Sequence, residues 1–89
     1  MKHADLDSLR KDVAQIDDAI IDLLIKRFDL TDEVGRIKNA SGIPIENLEV
    51  EKKNIERMIS NSEGKLDKQL VLDVYAKIFA NSKERQRKM

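Results

Sequence analysis

Eighty-nine residues leave room for one small domain, and a chain 40% hydrophobic against 38% charged, with only Phe28, Phe79 and Tyr75 as aromatics, makes a lone core marginal. Lys plus Arg equals Asp plus Glu at 17 each, so there is no net field of the kind that binders of nucleic acid or anionic membranes carry. Cysteine is absent, which excludes disulfides and thiolate chemistry. Together with a start lacking a signal-peptide core and no run near the ~18 apolar residues of a membrane span, it points to a cytoplasmic protein.

The stretch from Asp5 to Ser41 has no proline and a single glycine, Gly35, and reads as one helix over about 5–41. Asp5 or Asp7 can cap it by satisfying free amide donors at its start. Apolar residues fall at Leu6, Leu9, Val13, Ile16, Ile20, Leu23, Leu30, Val34 and Ile37, the three-and-four spacing of a helix laid along a partner helix. One step of that series lands on Arg27, a permanent charge in an apolar seam whose unpaired burial costs several kcal/mol, so Arg27 is the first candidate site residue. About 37 helical residues make a rod of roughly 55 Å, whereas a compact globule of this size is only about 30 Å across. The overhanging seam calls for a second chain, and the simplest closed solution is an intertwined antiparallel homodimer. His3, alone near the start, has no neighbours to complete a metal site.

Asn39-Ala-Ser-Gly-Ile-Pro44 ends the first helix, because Gly42 can adopt the left-handed cap conformation and Pro44 keeps Ile43 out of the helical region. A second helix follows over about 47–60, capped by Asn47, with Leu48, Glu51, Ile55 and Met58 or Ile59 on its inner face. Ser60 to Lys65 is turn chemistry, and Asp67 caps a third helix over about 67–87 that turns Val71, Val74, Tyr75 and Ile78 inward. That stripe ends in Ser82 and Gln86, four apart and on one face. The basic run Lys83-Glu-Arg-Gln-Arg-Lys88 is expected to carry the helix out into solvent. Three helices, long, short and medium, with no strand pattern and no repeat, define an all-α class.

Lys38 stands eleven residues after Arg27, almost three turns, so both side chains project to one side of the rod about 16 Å apart along its axis. Arg10 lies about 42 Å from Lys38 on the same helix. An antiparallel pairing about the middle of the seam, near residues 21–22, brings a partner's Arg10 to roughly the level of residue 33, between Arg27 and Lys38. A pocket of Arg27, Lys38 and a partner's Arg10, closed by Glu51, Ser82 and Gln86, suits a small dianion. It holds no cysteine, no dependable histidine and no metal ligand cluster, and is poorly equipped for nucleophilic attack or acid–base work. Catalysis there would work by orientation and electrostatics.

Asp7-Ser-Leu-Arg10-Lys, Leu24-Ile-Lys-Arg27, Val34-Gly-Arg-Ile-Lys38, Ile43-Pro-Ile, Ser82 and Gln86 together resemble the all-helical (AroQ-class) chorismate mutases over nearly the whole chain. The resemblance implies one type II chorismate mutase domain over residues 1–89, an intertwined three-helix homodimer, and rearrangement of chorismate to prephenate on the route to phenylalanine and tyrosine, without cofactor or metal. It implies that Arg27 and the partner's Arg10 grip the two carboxylates with Ser82 assisting. Lys38 and Gln86 would donate to the ether oxygen. Glu51 would accept from the ring hydroxyl, with the backbone near Asn47 helping. The best-known members carry an arginine where this chain has Val50, which implies a less firmly held Glu51 and Asn47 loop. Two other readings stay open on this scaffold: an isochorismate-pyruvate lyase, and a non-catalytic helical dimerisation or regulatory module.

Overall fold

The computed structural model describes residues 5–89 and consists, over those residues, of three α-helices and no strand: α1 (Leu6–Ser41), α2 (Leu48–Asn61) and α3 (Lys68–Arg87). Long, short and medium helices follow one another as the sequence pattern predicts. His3 lies outside the described residues.

Each helix starts on a side-chain cap, so the local signals are read directly by the backbone. The amide of Ser8 donates to Asp5 Oδ1 at 2.7 Å, that of Val50 to Asn47 Oδ1 at 3.1 Å, and that of Leu70 to Asp67 Oδ2 at 3.1 Å. Caps of this kind are worth about 1 kcal/mol each. At the end of α1, Gly42 takes φ +70° and the amide of Ile43 reaches back to the Lys38 carbonyl at 2.9 Å. This left-handed closure turns the chain toward α2. Between α2 and α3, Glu63 and Gly64 both have positive φ, and the amide of Lys65 closes the turn on the Ser62 carbonyl at 2.9 Å. Glycine adopts that geometry without strain, whereas Glu63 does so against its Cβ.

The backbone divides into two compact units, Met1–Leu30 and Thr31–Met89, with the boundary inside α1. In the first, the seam of Leu6, Leu9, Val13, Ile16, Ile20 and Leu23 is between 49% and 63% exposed. Leu24, Arg27 and Phe28 are half-buried. In the second, α2 and α3 pack on each other, and the apolar core is small. Val71 and Phe79 are its buried members, each contributing about 1.5–3 kcal/mol through burial. The tilted rings of Tyr75 and Phe79, 5.8 Å apart, extend this core along α3. Val74, expected inside, is 44% exposed, because the buried stripe of α3 steps by four through 71, 75 and 79 before continuing to Ser82 and Gln86.

Candidate active site

Within the second unit, the polar end of the α3 stripe meets the last turns of α1. Ser82 and Gln86 are only 7% and 5% exposed, far more enclosed than polar residues near a helix end ordinarily are. Facing them are Thr31, Gly35 and Asn39, spaced four apart and so aligned along one side of α1. The Gln86 side-chain amide donates from Nε2 to the Thr31 carbonyl at 2.6 Å, and Asn39 Nδ2 donates to the Gln86 carbonyl at 3.1 Å. Thr31 Oγ1 donates to Ser82 Oγ at 3.4 Å. The approach is close because Gly35 has no side chain. A Cβ there would collide with Gln86 Cγ and lie 2.9 Å from Gln86 Cβ. Gln86 is thereby held in one place, and its NH2 group has a second hydrogen to offer a ligand.

Lys38, one turn beyond Gly35, is half-buried and donates from Nζ to the Ile45 carbonyl at 3.1 Å. The ammonium is parked on the loop between α1 and α2. An ammonium carries three hydrogens, so one spent on this carbonyl leaves donor capacity for a ligand. Asn47 caps α2 through Oδ1, which accepts from the Val50 amide.

Glu51, on the first turn of α2, faces Lys83 of α3. Lys83 Nζ lies 3.2 Å from each oxygen of Glu51 and 2.8 Å from Glu46 Oε1 in the α1–α2 loop. The side chains of Lys83 and Glu51 are 18% and 22% exposed. This corrects, for Lys83, the expectation that the basic run at the end of α3 projects into solvent, which holds for Glu84, Arg87 and Lys88. Lys83 turns inward to bridge two carboxylates, and Arg85 Nε donates to Asp32 Oδ1 at 2.9 Å, because each has an acid opposite it on another element. The hydrogen bond from Lys83 holds the Glu46 carboxyl below its ordinary range, and the Arg85 hydrogen bond does the same for Asp32. The bond to Glu46, aided by Glu51 and opposed by burial, raises the Lys83 ammonium above its usual value.

Five of the predicted site residues, Lys38, Asn47, Glu51, Ser82 and Gln86, thus belong to Thr31–Met89, and Arg10 and Arg27 to Met1–Leu30. Arg10 is exposed and Arg27 half-buried. Three contributors were not singled out from sequence. Gly35 could have been, since a lone glycine inside a helix costs about 1 kcal/mol against alanine and asks for a packing reason. The Thr31 carbonyl and the inward turn of Lys83 carry no such mark. A cleft of about 380 Å³ at the α2–α3 turn, lined by Ile59, Ser62, Gly64, Lys65, Leu66, Asp67 and Lys68, contains none of these residues. Among the described residues no group of three or more His, Cys, Asp or Glu could hold a metal, and no helix is long and apolar enough to cross a membrane.

The arrangement of fixed donors, one parked ammonium and one clamped carboxylate goes with a match, over residues 9–87, to chorismate mutase type II. The chain belongs to the chorismate mutase type II family, a family of isomerases. It is also 45% identical over 42 residues to the T-protein of Enterobacter agglomerans, a stretch covering 47% of this chain. The matched stretch spans 11% of that T-protein, about a tenth of the curated relative's length. The resemblance drawn from the sequence expects an arginine at the position of Val50 and a looser Glu51 without it. Here Glu51 is nonetheless held, from α3 rather than from its own helix.

Proposed function

We propose that the chain rearranges chorismate to prephenate as one domain over residues 1–89, paired with a second copy. The observation that carries this reading is the family match over residues 9–87, which includes every predicted site residue from Arg10 to Gln86. In this reaction the ether carbon–oxygen bond breaks while a carbon–carbon bond forms within the same molecule. No atom is gained or lost, and neither a nucleophile nor a proton carrier is required. What the protein must supply is a compact conformer of the substrate and donors where negative charge grows.

We assign Arg27 and the partner's Arg10 to the two carboxylates, with Ser82 assisting. Lys38 leaves the Ile45 carbonyl and, with the second amide hydrogen of Gln86, donates to the ether oxygen. Glu51 accepts from the ring hydroxyl. A carboxylate has about four acceptor positions, so Glu51 can take that hydrogen while still engaged by Lys83. The exposed seam of Leu6, Leu9, Val13, Ile16, Ile20 and Leu23 supports the second copy, since a stripe that long is a poor surface for an isolated chain.

Incubation of the purified protein with chorismate tests the reading. Prephenate is expected, and Lys38→Ala should cut turnover by about 10²–10³ while leaving the helices folded. Conversion of isochorismate to salicylate and pyruvate would assign the lyase reaction instead. Consumption of neither substrate would leave a non-catalytic helical module.

A further inference from the structure

The structure assigns a role to Lys83 beyond the residues named so far. We propose that it is a positioning residue of the active site, which orients the Glu51 carboxylate for the substrate hydroxyl and ties the α1–α2 loop to α3. This rests on the reading of Glu51 as a substrate contact. The bridge spans three elements: Lys83 on α3, Glu46 in the loop and Glu51 on α2. Contact at 3.2 Å with both Glu51 oxygens restrains rotation of the carboxylate as a single-oxygen contact does not. Lys52 and Lys53, neighbours of Glu51 in sequence, point to other sides of α2, since adjacent residues on a helix do not share a face.

Placement on α3 also matters. Lys83 is next to Ser82 and three residues before Gln86, so the segment that buries two polar site groups also holds the third. Its charge does a second thing. An uncompensated Glu51 would repel a dianion entering nearby, and the ammonium offsets that repulsion in a partly enclosed setting. The α1–α2 loop, which presents the Ile45 carbonyl to Lys38, is held through Glu46. Lys83 therefore touches the setting of Lys38 as well, although it meets neither the ether oxygen nor the breaking bond.

Steady-state kinetics with chorismate on the full chain test the role, using wild type, Lys83→Met, Lys83→Arg, Glu51→Gln and the Lys83→Met/Glu51→Gln double variant. Lys83→Met should lose on the order of tenfold in kcat/KM, the lower end of the loss seen when partners that orient metal-ligating side chains are removed. The loss should appear mainly in KM, because the hydroxyl contact is made in ground and transition states alike. Lys83→Arg should restore most of it. In the Glu51→Gln background, Lys83→Met should add much less than it does in wild type, since the larger part of its effect passes through Glu51 and only the hold on the α1–α2 loop through Glu46 remains.

Full activity in Lys83→Met, or the same loss with Glu51 already neutralised, would overturn the role. Circular dichroism separates these results from unfolding. Should Lys83→Met lose its helices, Lys83→Gln and Glu46→Gln provide the same contrast, Glu46→Gln with the smaller loss, and unchanged kinetics in both would overturn the role equally. A wild type that leaves chorismate untouched would overturn the proposed reaction and this role together, whereas an active wild type beside an equally active Lys83→Met overturns the role alone.

Discussion

Both units expose apolar side chains, and they differ in what the chain itself encloses. In Met1–Leu30 the helix carries a seam of large apolar side chains, every one of them about half exposed or more, from Leu6 to Leu23. In Thr31–Met89 polar groups are enclosed and matched within the chain: Gln86 on Thr31 and Asn39, Lys83 on Glu46 and Glu51, Arg85 on Asp32. The second unit is assembled by contacts the chain makes with itself. The first presents an exposed apolar stripe, the surface that the proposed second copy would cover.

The contrast can be broken hardest in the first unit. Ile16→Asp puts a charge in the middle of the seam, where covering it by a second copy would cost several kcal/mol. Sedimentation should then show a monomer and chorismate turnover should vanish. An unchanged dimer would mean that the seam is not the interface.

A smaller effect is expected from the closest packing of the second unit. Gly35→Ala gains about 1 kcal/mol of helix propensity, but its Cβ collides with the Gln86 side chain. Forced displacement in a tight contact costs about 1–3 kcal/mol, so a lower melting temperature and weaker turnover are expected. A higher melting temperature would show that Gln86 yields freely.

Much of this organisation was legible in the chain itself. Asp5, Asn47 and Asp67 announce helix starts because capping is a local property of a short side chain. The pairing of Ser82 with Gln86 follows from their spacing on one face, and the break at Gly42 from its backbone freedom. Lys83 was illegible for a different reason. In a run of charges its direction depends on acids 32 and 37 residues away in sequence, and no periodicity encodes such a meeting. Val74 was misjudged because apolar character alone does not say whether a stripe steps by three or by four.

The gentlest probe is pH. The bond to Lys83 holds Glu46 below its ordinary 4.5, so its stabilisation is present above that value and is lost as pH falls through the lower folded value. Lys83 is raised above 10.5, so its share is complete below that value and is lost as pH rises through the higher folded one. The melting-temperature gap between wild type and Lys83→Met should be widest between these limits and close well below 4.5. A gap that persists in strong acid would mean that the ion pair contributes nothing to it.

Mixing two inactive variants tests most directly whether each site draws on two chains. Arg10→Ala and Lys38→Ala should each be nearly inactive alone. If Arg10 reaches the site of its partner, co-refolding equal amounts restores one intact site in each mixed dimer, and roughly a quarter of wild-type chorismate turnover returns. Recovery of no activity, with mixed dimers present, would contradict the shared site.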